Sequence, residues 1–501
     1  NKQKEAMARL LIIALIAQLA LAQDTQPGAP YSQVYGTPES YPVTYLPDVD
    51  NQRMIDEDLD RLSPAPYRYG YIHQTSLSAD SSGRWADTAD GGRVWQIAFT
   101  SGGAYSLSLG YEDFYIPLGG ELYVYSPGYG AVYGAYTHHN NTEHQYFSTP
   151  HIKGDTVVIE YYEPSWADPT FSLEITEVVH DYRDIMNFYS GQRDWECGTN
   201  VICEDAPEYQ GPINSVAFLD MGGFICSGAM VNNVRQDLTP YFLTAYHCTE
   251  GENPNTFRFY FNKEASSCEN TWASGGEYAY SSQQVADSQN IWDADWALLL
   301  ITDDIDEEWD VYYSGWDATG EYPIISTSVH HPNGTAKKIN YDDDQAWGDW
   351  WTGGSSNILT HWKVNWDEGG TTGGSSGSPL FDDQFRYVGV LTGGNADCLN
   401  DETGQNYYGK MSFGWDGPFA SSRKVDWLDP DSTGTLVIDG TYVVVDTIEG
   451  DLNGDEIVNI QDIILIVNVI ISGTDNAYAD LNGDGIVNII DIIHLVNIIT
   501  G

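Results

Sequence analysis

At 501 residues the chain has room for three or four domains, and its 73 Asp plus Glu against 21 Lys plus Arg give a net charge of -52. A field of that sign repels nucleic acid and anionic membrane surfaces and attracts cations and cationic substrates. With 16 Trp, 35 Tyr and 50 Gly, the composition favours a β-rich extracellular protein with many turns over a helical one.

Residues 1–22 read as a signal peptide. Arg9 precedes an apolar stretch from Leu10 to Ala22, too short to span a bilayer, and Ala20-Leu21-Ala22 supplies a small-x-small cleavage site. No later segment approaches the roughly 20 apolar residues of a membrane-spanning helix, so none is expected. Residues 23–66, rich in Pro, Tyr and Asp, read as an exposed lead-in. From Arg93 the pattern changes to short alternating runs, Val94–Thr100, Ala104–Ile116, Glu121–Ser126, Ala131–Thr137, Asp155–Tyr162 and Phe171–Val179, which predict a β-sandwich. His138, His139 and His144 share one loop and read as solvated polar residues. The sandwich and its lead-in are assigned to residues 23–190, ending near the accessible stretch Gly191-Gln192-Arg193, which suits proteolytic cleavage.

Six cysteines follow, all between Cys197 and Cys398. An even count points to an oxidising compartment, and the spacing alone allows about 15 pairings. No C-x-x-C pair is present, which speaks against zinc. Predicted strands are Pro212–Leu219, Phe224–Val231, Thr256–Phe261, Trp296–Thr302, Tyr322–Val329, Leu359–Trp366, Tyr387–Thr392 and Tyr407–Phe413. So many short strands without alternating helices predict two packed β-barrels over residues 191–440, with a linker at 441–450.

Residues 451–501 hold a repeat. Asp451-Leu452-Asn453-Gly454-Asp455 and Asp480-Leu481-Asn482-Gly483-Asp484 each open a 12-residue loop followed by one apolar helix. Oxygen ligands at positions 1, 3, 5, 7 (through the backbone), 9 and 12 suit calcium. These are Asp451, Asn453, Asp455, Ile457, Asn459 and Asp462 in the first copy. In the second they are Asp480, Asn482, Asp484, Ile486, Asn488 and Asp491. Two calcium ions are expected. Glu456 stands where such a turn prefers Gly.

Three stretches of the 191–440 region carry acyl-transfer chemistry. Gly373-Gly374-Ser375-Ser376-Gly377-Ser378-Pro379 frees Ser376 of bulky neighbours, and the N–H groups of Gly374 and Ser376 can converge on one oxyanion. Leu243-Thr244-Ala245-Tyr246-His247-Cys248 places a histidine beside a half-cystine. Asp293-Ala294-Asp295-Trp296 places an aspartate at the mouth of an apolar strand.

The order His247, Asp295, Ser376 and the context of each resemble the chymotrypsin-fold serine proteases, most of all their lysyl-endopeptidase-like bacterial branch, over about residues 192–440. The resemblance implies peptide-bond hydrolysis by a His247-Asp295-Ser376 triad. It implies the disulfides Cys197–Cys398, Cys203–Cys268 and Cys226–Cys248, a terminal helix ending near Trp427-Leu428-Asp429-Pro430, and an N-terminal domain that serves as a removable pro-region. The lysine-specific relatives carry an aspartate just before a Tyr-Gly pair. Asn406 is the matching residue here, with Gly393 and Gly394 placed to pair with substrate, so a preference for Lys or Arg at P1 is left open. Ser375 stands where trypsin-like zymogens keep an aspartate that binds a newly cut amino terminus, so activation by terminal insertion is not expected. His330-His331-Pro332-Asn333-Gly334 also looks like a family motif and receives no role. The loop–helix repeats resemble type I dockerins, which implies a calcium-dependent module that binds a cohesin-type receptor.

The fold class expected is mainly β: a chymotrypsin-like double-barrel protease domain between a β-sandwich pro-domain and a small all-α calcium-binding dockerin module. The function expected is a secreted or cell-surface bacterial endopeptidase acting on proteins or peptides. The reading from another class is a catalytically inactive, calcium-tethered adhesion protein.

Overall fold

The computed structural model describes residues 28–36, 40–61, 64–189, 198–204, 206–268, 273, 276–351, 359–395, 404–442, 450, 458–472, 479, 481 and 487–500. The chain divides into one unit of residues 1–442 and a second of 443–501. The signal-peptide stretch, the expected cleavage stretch at Gly191–Arg193, Cys197 and Cys398 fall outside the described residues.

In the first unit, alternating apolar residues place two sheets face to face. One sheet runs in the order Val43–Tyr45, Arg93–Thr100, Thr156–Glu163, Glu121–Tyr125, Val132–Tyr136, with Arg84–Asp87 also beside Arg93–Thr100. The other runs Ile152–Lys153, Ser106–Tyr115, Ser172–Asp181, Gly70–Ser78, with Phe147–Ser148 beside Ser106–Tyr115. Trp95, Ile97 and Phe99 from the first sheet meet Leu107, Leu109 and Tyr111 from the second in one buried core, the period-2 burial that a sandwich requires.

The structure corrects the expected lead-in. Residues 31–35 form a helical turn and residues 43–45 a strand parallel to Arg93–Thr100. The backbone N–H of Ser32 donates to Glu160 Oε1 at 2.9 Å, and the Ser32 hydroxyl bonds the same carboxylate. Gln96 and Tyr125 complete the shell around Glu160, at 2.8 and 2.7 Å. A buried carboxylate needs such partners, and here it fastens the amino-terminal segment to the sandwich. The sandwich thus begins earlier than Arg93, with Val43–Tyr45 in one sheet and Gly70–Ser78 in the other.

Two further sheets build the region after the cysteines begin. One runs Tyr278–Tyr280, Arg258–Tyr260, Val216–Asp220, Phe224–Val231, Tyr241–Thr244, Ala297–Ile301, Ser282–Asp287. Its two ends are consecutive in the chain, joined through Ser281 at φ +63°. The other runs Thr199–Asn200, Lys338–Asp342, Ser326–His330, Pro379–Phe381, Tyr387–Gly394, Asn406–Lys410, His361–Val364, Trp347–Asp349. A bridge from Tyr341 to Glu368 ties one side of that order to the chain leaving the other side.

Residues 210–215, whose last four were expected to be strand, form a short helix. The Ser215 hydroxyl closes it by donating to the Pro212 carbonyl at 2.8 Å. The expected linker begins later than residue 441, because Thr441–Tyr442 pairs with Tyr312–Tyr313. The expected terminal helix is one turn, Val425–Leu428.

The second unit contains two helices, Ile460–Ser472 and Ile489–Thr500. Ile466, Ala479 and Leu495 form its buried core. Among the described residues, no helix of the chain is long and apolar enough to cross a membrane.

Candidate active site and calcium loops

The strand Tyr241–Thr244 pairs antiparallel with Ala297–Ile301, Thr244 opposite Ala297. That register brings the turn after the first strand to the residues before the second. His247 lies in the helical turn Tyr246–Thr249 and Asp295 directly precedes Trp296. His247 Nδ1 is 2.7 Å from Asp295 Oδ2, and Asp295 Oδ1 accepts the His247 backbone N–H at 3.0 Å. Both residues are buried. Ala294 and Asp295 hold φ of +72° and +45°, a left-handed geometry that costs energy in residues with a Cβ. Gly409 explains how the strained loop fits: a Cβ there would collide with the Ala294 carbonyl oxygen and lie 2.8 Å from its Cα. Asp293, two residues away, accepts from Asn290 Nδ2 at 2.9 Å and is exposed.

Ser376 arrives from the other sheet, three residues before the strand Pro379–Phe381. Gly374 and Gly377 flank it at φ +90° and +82°. A Cβ at Gly377 would lie 2.9 Å from the Ala245 amide nitrogen and collide with Thr244 Oγ1, so the serine loop packs against the strand end that leads into His247. The Ser376 carbonyl accepts the Ser227 N–H at 2.8 Å. Next to Ser227, Cys226 is joined to Cys248, the neighbour of His247. The structure thus brings His247 and Asp295 into direct contact and sets the Ser376 loop beside them. It does not join Ser376 to the imidazole by a hydrogen bond, since His247 Nε2 is buried with no partner among the described residues. The N–H groups of Gly374 and Ser376 likewise have no hydrogen-bond partner among the described residues.

Cys203 is joined to Cys268 and Cys226 to Cys248. The third expected pair, Cys197 with Cys398, lies outside the described residues. The Cys226 and Cys248 sulfurs and a His247 ring nitrogen fall within 4.8 Å of one another, yet the disulfide removes the thiolates a soft metal would need.

Asn406 is fully buried, opposite Gly394 in the strand pair. Its Oδ1 accepts from Trp366 Nε1 at 2.8 Å and its Nδ2 donates to Thr371 Oγ1 at 2.7 Å. Because the indole can only donate, this amide orientation is fixed. Gly393 pairs with Tyr407 on one edge. On the other edge, pairing with Pro379–Phe381 ends at Val390, before the glycines.

One contact had no sequence signal. Tyr67–Arg68, from the amino-terminal region, pairs antiparallel with Phe224–Ile225 of the region that carries His247 and Ser376. The Tyr67 ring lies so close to Gly373 that a Cβ there would meet it, at 3.3 Å from Cε2 and closer to Cδ2. The Arg183 guanidinium lies 4.9 Å from the Tyr67 ring centre and 2.6 Å from Asp58. Beneath them His151 of the sandwich meets buried Asp220 at 3.1 Å, where Arg258 also pairs at 3.3 Å. Burial pushes the Asp220 carboxyl up, but His151 and Arg258 outweigh it and hold it at about 2.

In the second unit both repeats share one geometry. Asp462 and Asp491 are buried, and each accepts the N–H three residues before it, Asn459 at 2.8 Å and Asn488 at 2.7 Å. Asn459 and Asn488 in turn accept the N–H groups of Gln461 and Ile490, each at 2.8 Å. The remaining expected ligands, Asp451, Asn453, Asp455, Ile457, Asp480, Asn482, Asp484 and Ile486, lie outside the described residues. Two buried carboxylates at loop position 12, in an all-oxygen donor set, fit a hard divalent cation.

Residues 192–409 match the lysyl endopeptidase C-terminal domain model and residues 449–500 match the type I dockerin domain model. Among curated proteins, the chain is 27% identical over 359 residues to a lysyl endopeptidase of Pseudomonas aeruginosa, covering 65% of this chain and 74% of that protein. Among solved structures it is similar to the HtrA-type protease AlgW with a tripeptide, at a TM-score of 0.29 and 15% identity, covering 41% of this chain and 58% of the other. A serine endoprotease from Yersinia pestis matches at a TM-score of 0.27 and 13% identity, over 41% of this chain and 61% of that one. Type I dockerin domains bind calcium. Residues 192–409 therefore resemble the C-terminal domain of the lysyl endopeptidases, and residues 449–500 of the same chain match a type I dockerin domain.

Proposed function

We propose that the protein is a secreted serine endopeptidase tethered through its dockerin domain. The observation that carries this is the buried His247–Asp295 pair at 2.7 Å, beside a serine loop whose Gly374 and Ser376 N–H groups have no hydrogen-bond partner among the described residues. Asp295 accepts the Nδ1 proton, so Nε2 is left as the basic nitrogen. It takes the Ser376 proton as the hydroxyl attacks a peptide carbonyl, then delivers it to the departing amine. The Gly374 and Ser376 N–H groups hold the oxyanion, and water hydrolyses the acyl-enzyme on Ser376. Closing the Ser376–His247 hydrogen bond is left to substrate binding, as is common in proteases without ligand.

Asn406 at the base of the specificity site offers a neutral amide, so no ion pair with a P1 ammonium forms there. Residues 23–190 act as a pro-domain. Support comes from the Tyr67–Arg68 strand: it pairs with the edge just before Cys226, whose disulfide partner adjoins His247, and Tyr67 lies against Gly373 of the serine loop. Residues 191–440 form the protease domain. The dockerin holds two calcium ions, through the two position-12 carboxylates and their loops, and docks on a cohesin-type receptor outside the cell.

The test is cleavage of a mixed peptide library, read by mass spectrometry, by the protein and by its Ser376→Ala and His247→Ala variants. Cleavage lost in both variants supports the reading. Cleavage that survives Ser376→Ala refutes it.

A further inference from the structure

The stretch His330–Asn333 forms the floor under the serine loop. His330 is fully buried, with Nδ1 2.7 Å from Ser375 Oγ and Nε2 3.2 Å from Asn340 Oδ1. Asn340 is itself oriented by Gly370, donating from Nδ2 to its carbonyl at 2.9 Å and accepting its N–H at Oδ1 at 3.3 Å. An amide oxygen only accepts, so the ring proton of His330 sits on Nε2 and Nδ1 is the acceptor. The Ser375 hydroxyl donates to Nδ1, while its oxygen accepts the Thr372 N–H at 3.2 Å. The chain of bonds closes with every donor matched to an acceptor and without a formal charge.

Neighbouring groups hold the loop's carbonyls in the same way. The Asn333 N–H donates to the Gly373 carbonyl at 2.6 Å, and Ser378 N–H donates to the Ser375 carbonyl at 3.0 Å. Ser227 Oγ donates to the Gly374 carbonyl at 2.9 Å and accepts the His331 N–H at 3.0 Å. In a trans peptide the C=O and the N–H point in opposite directions. With the carbonyls of Gly373 and Ser375 tied down, the N–H groups of the same two peptides, on Gly374 and Ser376, must project the other way. Neither of these N–H groups has a hydrogen-bond partner among the described residues.

We propose that His330 is the positioning residue of the oxyanion site. Through Ser375 it fixes the peptide that presents the Ser376 N–H, from inside the domain and with no charge, so this loop geometry needs no newly cut amino terminus. The inference rests on the Ser376–His247–Asp295 reading above. Burial, reinforced by Lys338 and only partly opposed by the Asn340 bond, holds the His330 imidazole at about 4. The ring thus remains the neutral acceptor that Ser375 requires across the neutral and mildly acidic range.

The test compares His330→Ala, Ser375→Ala and the double variant in the full chain. The substrate is the best-cleaved library peptide, and the probe is a peptide aldehyde of the same sequence, whose hemiacetal oxygen occupies the oxyanion site. Each single variant is expected to lose about 100-fold in kcat with KM changed by less than about threefold, and to lose aldehyde affinity in the same proportion. The double variant is expected to be no worse than either single, because both break one connection. Full kcat in either single variant, an unchanged aldehyde affinity, or losses that multiply in the double variant each overturn the inference. Thermal melting separates a folded, impaired Ser375→Ala protein from one that fails to fold; a loss of kcat that only tracks unfolding counts against the proposal. Ser376→Ala run alongside keeps the two readings apart: if it still cleaves, the triad reading falls, whereas an inactive Ser376→Ala with a fully active His330→Ala removes only the role given to His330.

Discussion

Asp295 grips His247 at two points, with one carboxylate oxygen 2.7 Å from the ring Nδ1 and the other accepting the backbone N–H of the same residue at 3.0 Å. A single side chain thereby fixes the imidazole's tautomer, its ring plane and the backbone that carries it.

Replacing Asp295 with Asn keeps an oxygen on the His247 backbone N–H and turns the amide N–H toward Nδ1, favouring the tautomer with the proton on the wrong nitrogen. Asp295→Asn is expected to lower kcat by about four orders of magnitude while KM stays within a few-fold. Steady-state kinetics on one peptide substrate check this, and a variant within tenfold of the parent protein contradicts it.

At the proposed specificity site, Asn406 lies between an indole N–H and a hydroxyl. Both can donate to a carboxylate, so Asn406→Asp is accommodated without an unpaired charge once a P1 ammonium or guanidinium enters. Cleavage after Lys or Arg is expected to rise at least about tenfold relative to other residues, the equivalent of one charge-assisted hydrogen bond. Library profiling reads the change. An unaltered profile removes Asn406 from the site.

Tyr67 lies against Gly373 and its strand occupies the Phe224–Ile225 edge. Tyr67→Gly in the full chain is expected to raise kcat/KM severalfold for peptides that extend past the scissile bond on the leaving-group side. Chromogenic amides with nothing beyond that bond are expected to respond less. Equal responses from both substrate types contradict blockage at that edge.

Burial is the leading cause holding His180 and His330 at about 4 and His361 at about 3. His73, Lys338 and Lys410 respectively push in the same direction. On acidification the unfolded chain takes up these protons near pH 6.5, and the folded chain does so only near pH 4 or below. Stability from these groups is therefore complete above about pH 6.5 and is lost as pH falls toward 4, by an amount on the order of 3 kcal/mol for a fully buried histidine. Equilibrium melts at pH 7 and 4.5 are expected to show the lower midpoint at 4.5. A midpoint that rises on acidification contradicts the assignment.

For the second unit, Asp462→Ala and Asp491→Ala each remove a buried position-12 carboxylate. Each is expected to weaken one calcium-binding event by about tenfold or more in a titration of the calcium-stripped protein. Unchanged calcium binding in both variants contradicts the ligand set.

The sequence exposed what is written locally. Glycines around Ser376, the half-cystine beside His247 and the apolar run after Asp295 each announce themselves within a few residues. Long-range partnerships were hidden. His330 acts on Ser375, 45 residues away, and Ser32 binds Glu160, 128 residues away, with nothing in either segment to name its partner. That is why the amino-terminal segment read as an exposed lead-in and the His-His-Pro-Asn-Gly stretch received no role. Residues 212–215 misled for a different reason: they run straight into the apolar strand Val216–Asp220, and the turn closed by Ser215 on Pro212 is what sets them apart as helical.

The central claim is that Ser376 is a nucleophile activated by His247. Labelling the native protein with a fluorophosphonate and mapping the adduct by mass spectrometry tests it most directly, since an unactivated serine does not react. One adduct on Ser376 that disappears in His247→Ala is the expected result. An intact, folded protein that takes up no label, or takes it up at another serine, contradicts the account.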